Sequence, residues 1–375
     1  MHGRRAPARL FFCVRGTDMM PAARIHADAG DTMSRYSFMD DYSEGAHPRV
    51  LELLAATNLE QQPGYGADAL SARAIALIRE VIGNPRAAVH FAAGGTQANT
   101  IALASMLRSF ESVIAADSAH IHVHETGAVE ATGHKINLVP SREGKLDAAQ
   151  VRATVAAHGD EHMVVPRVVF IAQATESGTL YSKAELVALA DTCRELGLYL
   201  YMDGARLGPA IASRYCDITL PELSALVDMF YLGGTKNGAL LGEALVINNP
   251  ALQERFRYHL KQRGALLAKG RVLGAQFAAL LEGGLYFELA RHANEQAARL
   301  ADGLRRHSVR FLGEPVANQV FPILDDARIA RLRQTYDFHT WARVDASHAA
   351  IRLVTSWATP AEAVDRFLAE FRSLG

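Results

Sequence analysis

The sequence predicts an α/β protein with a mostly parallel sheet covered by helices on both faces, followed by a smaller α+β part. Three observations carry this. Between about Ala87 and Ile247, short β-branched or apolar runs alternate with helix-like segments, as strands joined by crossover helices do. After Asn248 the alternation gives way to long helical stretches and then short strands. The chain has 375 residues, 49% hydrophobic and 21% charged, which suits one large core with a smaller one attached.

Residues 1–32 show no clear periodicity and are expected to be a flexible extension, or to precede a start at Met33. Organisation begins with an arm over about 33–47, which opens a large domain expected to span 33–265. Its seven strand candidates are Ala88–Ala92, Ser112–Ala115, Lys135–Val139, Arg167–Ala172, Leu198–Met202, Met229–Leu232 and Ala244–Ile247. Ser182 and Glu185 read as a capping box, with Leu186, Leu189, Cys193 and Leu196 at helical spacing before Gly197 ends the element. Long helices are expected over Leu252–Lys269, Val272–Leu281 and Leu285–Arg306, the small domain occupying 266–375. Short strands near Val309–Leu312 and Ile351–Thr355 bracket that domain. Thr359, Pro360 and Glu362 predict a final helix with a cap, a first-turn proline and a reciprocal acid.

The net charge of −1, from 39 basic and 40 acidic residues, gives no excess to hold nucleic acid or an anionic membrane, so small-molecule chemistry is favoured. Cys13, Cys193 and Cys216 form no CxxC pair, which argues against a disulfide framework or zinc knuckle and for a reducing cytoplasm. No apolar run approaches a membrane span, and Leu10–Val14 is too short for a signal-peptide core.

In open α/β sheets, ligands gather beyond the carboxyl ends of the strands, where Gln173–Ser177, Asp203 and Gly233–Lys236 fall. A lysine held by Gly-Gly-Thr-Lys after an apolar strand can bind an aldehyde cofactor, and its burial would favour the neutral amine that this needs. Asp203, in Met202–Arg206, could keep a pyridine nitrogen protonated, and Arg206 could grip an amino-acid carboxylate with two hydrogen bonds. Gly94, Gly95 and Thr96 turn from strand into helix, leaving backbone N–H groups to face a phosphate. The set points to pyridoxal 5'-phosphate (PLP). Blander readings exist: Asp203 as a turn residue, Arg206 as an ion-pair residue, the glycines as an ordinary turn. His120 could stack on a cofactor ring. If Asp117–Glu125 is extended, His120, His122 and His124 would share one face and suit a transition metal, although no metal is assigned.

Phe38–Gly45, Gly64–Gly66, Gly95–Asn99, Ser118–His120, Met202–Arg206, Gly233–Lys236 and Arg352–Trp357 together resemble the aspartate-aminotransferase superfamily of fold type I PLP enzymes. Within it, they resemble the low-specificity L-threonine aldolase and β-eliminating lyase group, over roughly Tyr36–Leu374. The resemblance implies a fold type I PLP-dependent transferase-like architecture, with Lys236 as the Schiff-base lysine, Asp203 beneath the pyridine nitrogen and His120 on the ring. Gly95, Thr96 and Thr235 would hold phosphate, Arg206 and Arg352 the substrate carboxylate. Arg271 would reach cofactor phosphate across a subunit interface of a homodimer or homotetramer. Glu176 stands where many threonine aldolases carry a histidine that touches the substrate β-hydroxyl; that role would pass to Glu176, to His120 or to a water. Asp40 replaces a serine common in the group.

The activity implied is retro-aldol cleavage of L-threonine or L-allo-threonine to glycine and an aldehyde, by a carbon–carbon lyase. β-Elimination and transamination use the same frame. A PLP-binding regulator or a metal-binding protein would be rivals of another class, but no DNA-binding helix pair or basic stretch is appended.

Overall fold

All seven expected strands of the large sheet form, each within two residues of its expected ends. The computed structural model describes residues 35–374, so the expected extension over 1–32 and Cys13 lie outside the described residues. After a short β1 (Tyr36–Ser37) come β2 (Ala88–Ala92), β3 (Glu111–Ala116), β4 (Lys135–Val139), β5 (Val165–Ala172), β6 (Tyr199–Asp203), β7 (Met229–Gly233) and β8 (Glu243–Ile247). They lie in the order β2-β8-β7-β6-β5-β3-β4. The run from β7 to β4 is parallel, and β8 is antiparallel to both of its neighbours. Strands covered on both faces need continuous apolar sequence. Accordingly β3, β7 and β8 are buried throughout, while the edge strand β4 exposes Lys135 and Leu138.

The crossover helix Lys183–Leu196 carries the expected capping box between Ser182 and Glu185 and ends at Gly197, at φ 66. Two helix expectations are corrected. The stretch 252–269 is not one helix. Pro250 opens a short 3-10 turn, Arg255 adopts φ 58, and only Phe256–Gln262 is α-helical before Gly264 reverses the chain at φ 72. The last helix, Ala361–Ser373, has Pro360 and not Thr359 at its N-cap, because the Thr359 hydroxyl accepts the Ser356 N–H at 2.8 Å.

β9 (Arg310–Phe311), β10 (Gln319–Val320), β11 (Pro322–Asp325), β13 (His339–Arg343) and β14 (His348–Val354) make an antiparallel sheet centred on β14. β12 (Tyr336–Asp337) pairs in parallel with β1. Two apolar cores result, one around the large sheet and one gathering Phe38, Leu300, Leu304, Leu353, Val364 and Phe367. Helix Leu285–Arg305 serves both, Leu285, Tyr286 and Leu289 entering the first core, Ala297, Leu300 and Leu304 the second. Helix Arg271–Leu281 packs Phe277 and Leu280 into the larger core. The arm crosses between them: Phe38 O accepts Val354 N–H, and His47 N–H reaches Gly238 O, both at 2.9 Å.

Candidate active site

β6 delivers Asp203, 4% exposed, at its carboxyl end. The carboxylate accepts Tyr231 O–H at 2.5 Å and Ala205 N–H at 2.9 Å on one oxygen and Asn99 Nδ2 at 3.0 Å on the other. Close approach of the strand ends makes this possible, since a Cβ on Gly204 would lie 1.7 Å from Tyr231 O and one on Gly233 2.6 Å from Ala205 O. Only glycine fits there.

Asn99 extends the network. Its Nδ2 also donates to Glu125 Oε1 at 2.7 Å, its Oδ1 accepts Tyr201 O–H at 2.9 Å, and Glu125 Oε1 bonds His120 Nδ1 at 2.8 Å. A continuous hydrogen-bonded path thus runs from Tyr231 through Asp203, Asn99 and Glu125 to His120. Burial disfavours the charged imidazole, but the Glu125 hydrogen bond and the fields of Glu176 and Asp203 outweigh it and raise the His120 pKa above its usual value. His120 opens a helical turn, His120–Val123, so the extended alternation of His120, His122 and His124 does not occur.

Lys236 lies in the loop leaving β7, its Nζ 5.8 Å from the centre of the Tyr42 ring. Thr235 braces that loop, its hydroxyl accepting Gly242 N–H at 3.0 Å. Facing it across the sheet edge, helix Gly95–Met106 begins with no side chain capping Gly94, so the first-turn N–H groups at Gly95 and Thr96 are left for a ligand.

The substrate end is built differently. The Arg206 fork is bound to Asp41, Nε at 2.8 Å and Nη2 at 3.1 Å, with both side chains buried. Two of the nitrogens of Arg206, which the sequence put forward for the substrate carboxylate, thus hold a carboxylate from the arm. Asn318 Nδ2 reaches the same Asp41 at 2.9 Å. Despite burial, the Arg206 and Lys236 charges and these bonds hold Asp41 below the usual carboxylate range. Arg352, on β14, donates Nη2 to Met39 O at 3.2 Å, lies 3.5 Å from Asp40, stacks 5.3 Å from Trp341, and leaves Nε buried without a partner. Glu176 shares this pocket, for its field acts on His120, His124, Arg206 and Arg352.

Arg271 is not brought to the others, its guanidinium holding Glu60 O at 2.7 Å and Asn58 O at 2.9 Å. Sequence reasoning did not single out Glu125, Asn99, Tyr231, Asn318 or Glu243, and noted Asp41 only as the match to the aspartate of the group's Ser-Asp pair. Asn99 and Asp41 sit inside the quoted motifs, but their partners come from distant segments. Glu125 follows the histidine run with no periodic signal.

The donor set fits PLP: an uncapped helix end for its phosphate, a buried carboxylate for its ring nitrogen, an imidazole and a lysine. Glu125 Oε2 and Arg352 Nε, buried without partners, mark polar capacity unused by the fold.

A family profile described as "Beta-eliminating lyase" matches residues 40–327. The low specificity L-threonine aldolase of Pseudomonas aeruginosa is 37% identical over 339 residues, 89% of this chain and 96% of that protein. A solved structure of Leishmania major threonine aldolase superposes with a TM-score of 0.89 and 46% identity, covering 90% of this chain and 99% of the other. Thermus thermophilus aspartate aminotransferase, at 16% identity and a TM-score of 0.67 over 92% of each chain, shares the fold.

Proposed function

The chain belongs to the β-eliminating lyase family, and from that premise we propose that it is a PLP-dependent aldolase cleaving L-threonine or L-allo-threonine to glycine and acetaldehyde. The observation that carries this is the buried path from Asp203 to His120 at the sheet edge, beside the Lys236 loop.

PLP, when bound, supplies the electron sink for the Cα–Cβ bonding pair. Asp203, held by three hydrogen bonds, would keep the ring nitrogen protonated, and Lys236 would hold the cofactor through its amine. Phosphate is anchored by the N–H groups of Gly95 and Thr96, with the braced Thr235 beside them. Arg352 binds the substrate carboxylate through the Nε that the fold leaves unpaired. Arg206, fixed on Asp41, adds positive field there. His120 accepts the β-hydroxyl proton, and Glu125, bonded to Nδ1, turns Nε2 toward the substrate. Glu176, from the loop after β5, is the second candidate for that proton.

The reading includes a homodimer or homotetramer, supported by the exposure of Leu59, at 93%, in the segment that Arg271 braces, and of Tyr258, at 76%. It includes residence in the cytoplasm, supported by unpaired Cys193 and Cys216; among the described residues no helix is long and apolar enough to cross a membrane.

Incubating PLP-loaded protein with L-threonine tests the reaction. Glycine with acetaldehyde is expected. 2-Oxobutyrate with ammonia would assign elimination instead, and a requirement for a 2-oxo acid would assign transamination.

A further inference from the structure

Glu243 opens β8, directly across from Gly233, and is 4% exposed. Its Oε2 accepts Gly234 N–H at 3.0 Å, and its carboxyl also hydrogen-bonds Thr235, so it sits under the loop that presents Lys236. A carboxylate buried this deeply is costly unless a cation compensates it. Among the described residues none makes an ion pair with it; the cation whose field reaches it is Lys236.

We propose that Glu243 is the buried counter-charge of Lys236, a positioning residue whose carboxylate favours a proton on the lysine nitrogen. The inference rests on the reading of Lys236 as the cofactor lysine.

The groups facing this carboxyl support it. Asp203 at the end of β6 repels its ionised form, and Tyr201, Tyr231 and Tyr286 present hydroxyls and no positive charge. Burial, against the Thr235 bond, the Lys236 charge and the Gly234 N–H, pushes the carboxyl up to about 7. A positive charge on the Lys236 nitrogen therefore favours the ionised carboxylate that burial and Asp203 oppose. Lys236 is also faced by Asp41 and the Tyr42 ring, neither of which can play this part: Asp41 stays ionised against Arg206, and Tyr42 is neutral. A purely structural role would be to brace the loop, which a glutamine could do equally well.

The test is a pH titration of the absorbance of PLP-loaded wild-type, Glu243→Gln and Glu243→Asp proteins, with thermal melting to confirm folding. Glu243→Gln is expected to move the midpoint of the lysine-linked absorbance change down by about one unit, a roughly tenfold weaker hold on the proton. Glu243→Asp should remain within a few tenths of wild type. A folded Gln variant with an unmoved midpoint, or an Asp variant displaced as far as Gln, would overturn the counter-charge and leave only bracing. Absence of a cofactor band in the wild-type protein would refute the cofactor reading itself, a separable failure.

Discussion

Asp203, on the large sheet, accepts three hydrogen bonds of 3.0 Å or less, whereas Arg352, on the small sheet, donates one at 3.2 Å and leaves Nε buried and unpaired. One region is complete before any ligand arrives; the other waits for one. Groups that stabilise developing charge act best when already oriented, because nothing then reorganises during the reaction. A group that recognises a carboxylate needs donors still available. On the proposed reading, chemistry belongs to the large sheet and recognition to the small one. Asp41 joins them, holding Arg206 on one side and Asn318 on the other.

That joint offers the largest expected effect. Asp41→Ala strands a buried guanidinium and should destabilise the fold by about 3–5 kcal/mol, read from denaturant unfolding near neutral pH. Because Asp41 is held below the usual carboxylate range, its contribution is present above that range and disappears as pH falls through the depressed value. Wild type and variant should accordingly converge in acid. A constant difference at all pH would show that the pair is not what joins the regions.

Next comes the large sheet alone. Asp203→Asn should lower turnover of L-threonine by roughly a hundredfold to a thousandfold, about 2.7–4 kcal/mol, and also lower the melting temperature, since its amide nitrogen would face a donor that the carboxylate now accepts. A loss below tenfold would remove the chemical role from this edge. Arg352→Ala should act on binding, raising KM by about tenfold to a hundredfold (~1.5–3 kcal/mol) while kcat falls less. The reverse split would break the comparison. Smallest is Glu125→Gln. Glu125 raises the His120 pKa, so removing its charge should move the acid limb of the kcat/KM profile to lower pH by about half a unit to one unit. An unmoved limb would shift the base role to Glu176.

The large sheet was the more legible half. Its strands are continuous apolar runs because both faces are covered, and Asp203 and Lys236 follow those runs immediately, so strand ends and site were read together. The small sheet was less so: β10 has two residues, and its pairing with β14 is set by contacts far along the chain. The helix expected over 252–269 failed because helical composition was read past Gly264, at φ 72, and gave no sign of the left-handed turn at Arg255. Arg206 was read as a two-point carboxylate binder; that its fork also reaches Asp41, 165 residues away, is something local spacing cannot reveal. Glu125 and Glu243 were missed for the same reason. Each matters through a buried neighbour supplied by another strand or helix.

The central claim is that Lys236, at the carboxyl edge of the large sheet, carries the cofactor. Borohydride reduction of the PLP-loaded protein, followed by peptide mass mapping, tests it most directly. The account predicts one reduced pyridoxyl group on the peptide containing Lys236 and none in Lys236→Ala, which should also lose turnover. A pyridoxyl group on another lysine, or retained turnover in the alanine variant, would contradict it.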